Sequence, residues 1–98
     1  ENIDEILAVE GVDVFFVGPS DLSQSLGFPG QSGAPQVRQA METTFSEIVA
    51  AGKISGSAGS AEAVAGFRAQ GVKYLYTHVP TLLSNASQDF FEAVRRAR

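Results

Sequence analysis

Apolar residues recur along the chain in two rhythms, short mainly apolar runs and stripes spaced three or four residues apart. The runs are Val12-Asp13-Val14-Phe15-Phe16-Val17, Lys53-Ile54-Ser55-Gly56 and Val72-Lys73-Tyr74-Leu75-Tyr76. Each follows a glycine (Gly11, Gly52 or Gly71), a residue suited to the left-handed position that closes a helix. Runs that are apolar without strict alternation predict strands covered on both faces, as in a parallel sheet.

The stripes predict the helices between them. Pro35 can occupy a first helical turn, and Val37, Met41, Phe45 and Ile48 then fall on one face. Ser60 is the expected N-cap of a second helix, with Val64 and Phe67 inward and Gly71 ending it. A third runs from about Thr81 into the tail, with Leu83, Ala86, Phe90, Val94 and Ala97 on one face. The opening Asn2-Ile3-Asp4-Glu5 has the spacing of a capping box for a short helix through about Val9. All these stripes are read as core.

The expected fold is therefore α/β, in the order α-β-loop-α-β-α-β-α. Such alternation implies right-handed crossovers and about three parallel βα units. Three parallel strands alone leave two open edges. The chain is then a piece of a larger barrel or a fragment dependent on assembly. It also opens without Met, in a segment that already reads as helix, which points to truncation.

One connection is out of scale. Gly18 to Ala34 far exceeds the usual ~2–6 residues between strand and helix. It follows the C-terminal end of a parallel strand, where α/β enzymes place their chemistry. It begins Gly18-Pro19-Ser20-Asp21-Leu22-Ser23-Gln24-Ser25-Leu26-Gly27. Gly18 permits close backbone approach to a ligand, and Pro19 fixes one φ angle. Ser20 and Asp21 stand at the start of an expected short helical turn, whose free N–H groups can hold a carboxylate or phosphate. Asp21 is a hard oxygen ligand suited to Mg2+, Mn2+ or a similar ion. From residue chemistry alone, the preferred reading is that Ser20 or Asp21 simply caps that turn, since one carboxylate cannot define a metal site.

Charge and composition narrow the function classes. The net charge is −4, and the seven Lys and Arg residues are scattered except for Arg95, Arg96 and Arg98. That distribution argues against nucleic acid, and the terminal cations suit a helix C-terminus. Without cysteine there is neither a disulfide nor a thiolate metal site, which is compatible with a cytoplasmic setting. The longest apolar stretch, Val14 to Val17, falls far short of the ~20 residues of a membrane helix, and no signal-peptide pattern opens the chain.

Residues 11–27, Gly-Val-Asp-Val-Phe-Phe-Val-Gly-Pro-Ser-Asp-Leu-Ser-Gln-Ser-Leu-Gly, closely resemble the signature of the HpcH/HpaI aldolases. These are class II pyruvate aldolases of the 4-hydroxy-2-oxoheptanedioate aldolase type. The likeness continues through Pro35-Gln36-Val37, Ala51-Gly52-Lys53 and Pro80-Thr81-Leu82-Leu83 and covers essentially the whole chain. It implies that residues 1–98 are the C-terminal part of a (β/α)8 TIM barrel, a fold of about 250 residues when complete. It further implies a divalent ion (Mg2+, Mn2+ or Co2+) held by two carboxylates, one matching Asp21. The second, a Glu on the preceding strand, would fall a few residues before Glu1. Glu1 and Glu5 do not replace it, because they belong to the following helix.

By the same resemblance, backbone N–H groups matching Ser20 and Asp21 bind the pyruvate carboxylate. The family's catalytic His and an enolate-stabilising Arg lie upstream, so this chain holds no catalytic residue of its own. His78 is then a structural or rim residue. Ala58 stands where many relatives have a larger aliphatic residue lining the aldehyde side, which implies a roomier pocket. Gly59-Ser60 is read as a tight turn and N-cap, with a phosphate site as the alternative.

The implied reaction is reversible cleavage of a 4-hydroxy-2-oxo acid to pyruvate and an aldehyde. Lys53 and Lys73 start strands at the far end of the barrel, away from any Schiff-base role. The rival enzyme class is a related lyase acting on a CoA thioester. The rival outside enzymes is an inert assembly piece, since the family's last helix packs on a neighbouring subunit. Leu82, Leu83, Phe90 and Phe91 supply apolar surface for such a homo-oligomer.

Overall fold

A computed structural model describes residues 2–97; Glu1 and Arg98, both considered above, lie outside the described residues. Eight elements follow in order: α1 (Ile3–Leu7), β1 (Val14–Phe16), α2 (Pro19–Ser25), α3 (Pro35–Ala50), β2 (Ile54–Ala58), α4 (Ala61–Ala69), β3 (Tyr74–Tyr76) and α5 (Val79–Arg96). The strands form one parallel sheet in the order β1-β2-β3. This is the expected alternation, with strands displaced from their predicted limits. β1 and β3 lose two residues at their N-terminal ends, and β2 continues two residues further, through Ser57 and Ala58.

The register divides the sheet into two faces. Phe15 pairs with Ser55, and Ser57 with Leu75, on the side where α3 packs. Val37, Met41 and Phe45 of α3 form a buried cluster with Val72, against which Val17, Leu22, Phe67 and Leu75 pack. Ile48 joins Leu7 and Phe15 in a second cluster. The whole α3 stripe is thus core, as its spacing predicts. Phe45 is fully buried, and its ring meets Phe67 edge-on at 5.3 Å. Val64 and Phe67 on α4 are half-buried.

Helix ends follow their local sequence at most sites. Gly52 and Gly71 take positive φ (73° and 88°) one residue past the helix cap. Paired bonds close these ends, Lys53 N–H to the Ile48 carbonyl and Val72 N–H to the Phe67 carbonyl. Ser60 caps α4, its hydroxyl accepting from the Ala63 N–H at 3.3 Å. The opening helix differs from expectation. It stops at Leu7, and Asn2 makes no side-chain cap bond, so the capping box does not form. Its backbone at φ −110°, ψ 21° lies outside the extended region from which an N-cap side chain folds back.

The tail also departs from expectation. α5 begins two residues early, at Val79, and no residue on it is buried. Leu83, Phe90 and Val94 are 62%, 64% and 55% exposed. The helix has no extensive packing with the rest of the chain, which stretches to 60 × 27 × 20 Å. Its stripe is therefore surface within this chain, because no described element lies opposite it. Arg95 and Arg96 occupy the last turn as expected, where the exposed Arg96–Glu92 pair adds little stability. No helix among the described residues is long and apolar enough to cross a membrane.

Candidate functional site

The stretch after β1 is mostly structured. Gly18 is the N-cap of α2, and Pro19 occupies its first position. Leu22 N–H donates to the Gly18 carbonyl at 2.9 Å, so the N–H groups of Ser20 and Asp21 lie ahead of the first helical bond. Neither has an acceptor among the described residues. From Leu26 to Ala34 the chain runs through successive turns, Phe28 N–H to the Ser23 carbonyl and then Gln31 to Phe28 and Ala34 to Gln31. The expected long loop is therefore one short helix plus turns, anchored by half-buried Leu22 and Phe28 on the α3 core. Fully buried Ser23 fastens the first turn, its hydroxyl donating to the Ser20 carbonyl at 2.7 Å.

Asp21 stands on the exposed side of that turn. Gly18 rather than Ser20 or Asp21 holds the cap position, and no side chain caps α2. The capping reading therefore does not describe Asp21. Its carboxylate has no hydrogen bond or ion pair among the described residues. A Cβ built on Gly18 would lie 2.8 Å from Asp21 Oδ2, so the carboxylate folds back over the end of β1. An unengaged oxygen ligand beside a bare backbone fits a share in a divalent-ion site. Asp21 does not make such a site by itself, and the described residues contain no group of three or more His, Asp or Glu able to hold a metal.

The other rim residues divide between roles. The Gly59 N–H donates to the Tyr76 carbonyl and Ser60 caps α4, which is the turn-and-cap reading of that pair. His78 is the backbone N-cap of α5, its carbonyl accepting from Thr81 and Leu82 while its ring lies edge-on to Tyr76 at 5.4 Å. Lys53 and Lys73 precede β2 and β3, at the opposite end from Asp21. A cleft of about 640 Å3 between α3 and α4 is lined by Arg38, Met41, Glu42, Phe45 and Glu62 and reaches Pro19 and Ser60. Neither Ser20 nor Asp21 lines it, whereas Pro19 just before them and Ala58 at the end of β2 do.

Sequence reasoning missed the aromatic group on the uncovered sheet face. Phe16 stacks on Tyr76 at 5.3 Å and meets Tyr74 edge-on at 6.3 Å. The available signal was the alternation Tyr74-Leu75-Tyr76, which places both tyrosines on one face.

Comparison with known proteins agrees with this architecture. The model of the HpcH/HpaI aldolase/citrate lyase family matches residues 1–77. The 2-keto-3-deoxy-L-rhamnonate aldolase of Escherichia coli (strain K12) is 54% identical over 56 residues, 57% of this chain and 21% of that protein. The structure of an HpcH/HpaI aldolase/citrate lyase family protein from Burkholderia cenocepacia J2315 superposes with a TM-score of 0.85 at 30% identity. It matches over 95% of this chain and 37% of that one. Citrate synthase SbnG has a TM-score of 0.76 at 30% identity, over 96% of this chain and 39% of its own. The chain thus spans about a fifth of the curated aldolases it matches and under half of the solved structures. With α/β architecture and a match over most of its length, this chain belongs to the HpcH/HpaI aldolase/citrate lyase family and forms part of its TIM barrel.

Proposed function

We propose that residues 1–98 are the C-terminal part of a metal-dependent pyruvate-type aldolase, supplying one carboxylate ligand and the amides that orient the 2-oxo acid. The reaction is reversible cleavage of a 4-hydroxy-2-oxo acid to pyruvate and an aldehyde. The observation that carries this reading is the Asp21 carboxylate, unengaged and folded over Gly18 at the C-terminal end of β1.

Asp21 shares a Mg2+, Mn2+ or Co2+ ion with a second acidic ligand from a strand that precedes this segment in the barrel. Such an ion supplies Lewis-acid stabilisation of negative charge developing on the keto oxygen. The Ser20 and Asp21 N–H groups receive the carboxylate of the 2-oxo acid, and Pro19 limits the backbone freedom of that cradle. Ser23 holds the Ser20 carbonyl and with it the orientation of the first turn. Proton transfer at the aldehyde oxygen falls to a base outside this chain. The exposed apolar face of α5 is covered by a second copy, giving a homo-oligomer.

The test is pyruvate release from a 4-hydroxy-2-oxo acid by the full-length protein with Mn2+ or Mg2+. Asp21→Ala is expected to lower the rate by about 10–100-fold or more, since loss of even a partner behind the ligands costs that much. Retention of the parent rate would show that Asp21 holds no ion.

A further inference from the structure

The uncovered face of the sheet carries a second determinant of what the site admits. Phe16, Gly56 and Tyr74 are neighbours in the register, and Ala58 and Tyr76 form the next row toward the strands' C-terminal ends. Gly56 has no side chain, and a Cβ there would come 3.0 Å from the Phe16 ring and 3.1 Å from that of Tyr74. Both rings therefore close over β2 from either side.

Tyr76 goes further. β2 separates its strand from that of Phe16, about 9.6 Å over two strand spacings, yet the rings stack at 5.3 Å and 18°. One or both rings must then lean over β2, and the Phe16 ring does so, lying 3.0 Å from the place of a Gly56 Cβ. Ala58, the register partner of Tyr76, is only 8% exposed. Tyr76 is itself braced on both sides, by Phe16 and by the edge-on ring of His78 at 5.4 Å.

Continuing the β1–β2 register by two residues sets Gly18 opposite Ala58. Gly18, Ala58 and Tyr76 then form one row, and the Asp21 carboxylate occupies the place of the absent Gly18 side chain. We infer that Tyr76 closes the substrate space at the end of this row opposite Asp21 and limits the length of the aldehyde portion. This rests on the proposed aldolase reading. A 2-oxo acid held at Asp21 and the α2 amides extends along the row, meets the small Ala58 first, and then meets a ring that its two neighbours keep from yielding. On this reading, volume absent at position 58 is supplied by the ring of the next strand.

The test is aldol addition of pyruvate to glycolaldehyde and to hexanal by the full-length protein, compared as a ratio of kcat/KM. Tyr76→Ala is expected to raise the hexanal-to-glycolaldehyde ratio about tenfold or more, as pocket contacts of a methylene or larger do, while Tyr76→Phe keeps it within about twofold of the parent. Should Tyr76→Ala fail to fold by circular dichroism, Tyr76→Leu, expected to shift the ratio the same way, takes its place. A folded variant with the parent's ratio would overturn the inference and leave the aldolase reading intact. A parent protein that joins pyruvate to neither aldehyde would overturn both.

Discussion

Replacing Gly18 by alanine separates what that residue does for folding from what it does for the site. Its backbone at φ −83°, ψ 110° is ordinary extended geometry that alanine adopts without strain. A glycine-to-alanine change at such a position usually stabilises by about 0.4–1 kcal/mol through the unfolded chain. The added methyl would however lie 2.8 Å from Asp21 Oδ2, well inside the ~3.5 Å of an ordinary nonbonded contact. The carboxylate is the free end of a short side chain, so it can swing aside cheaply, by roughly 0.5 Å or more. Folding tolerates that movement, but a metal site does not, since ligand distances hold to about ±0.2 Å. Displacing a ligand on this scale is expected to weaken Mn2+ binding about 10–100-fold, or about 1.4–2.7 kcal/mol. Calorimetric titration of the full-length protein with Mn2+ measures the affinity, and thermal unfolding of the metal-free protein measures the fold. The reasoning fails if the variant is as stable as the parent and binds Mn2+ equally well. Loss of stability without metal would refute the claim that Gly18 matters through the carboxylate.

The α3 core should respond by cavity formation. Phe45→Ala removes a fully buried ring and its edge-on contact with Phe67, and is expected to cost about 3–5 kcal/mol in urea unfolding of the full-length protein. Ser55 offers the opposite sign. Its hydroxyl is buried with no hydrogen-bond partner, so Ser55→Ala should be neutral or stabilising by up to about 1 kcal/mol in the same assay. On α5, Phe90→Asp puts a charge on the exposed apolar face; light scattering is expected to show a smaller assembly with unchanged circular dichroism. An unaltered mass would remove α5 from the interface.

How much was legible in the residues follows from the range of the forces involved. Helix α3 was readable because Val37, Met41, Phe45 and Ile48 are neighbours three or four residues apart, and Ser60, Gly52 and Gly71 act on amides of the same turn. The motif beginning at Gly18 was readable for a similar reason: a turn, a proline and an amide cradle are all local features. Failures came where partners are remote. The same periodicity that made α3 core made α5 look like core, and only the fold reveals that no described segment lies opposite Leu83 and Phe90. A stripe states that something must cover it and is silent on what.

The sequence by itself therefore determined the order of strands and helices, the parallel sheet they imply, and Asp21 as an acidic residue just past a strand's C-terminal end, of a type that suits a hard cation. Tertiary structure decided the rest. Register between β2 and β3 set Tyr76 beside Ala58 although the helix α4 separates them in the chain, and it brought the Tyr76 ring to stack on Phe16 two strands away. Folding also left the Asp21 carboxylate without a partner among the described residues, where residue chemistry alone favoured a local capping bond. The physical reason is that side-chain spacing acts over one turn of helix, whereas the contents of a site depend on which distant strands come to lie side by side.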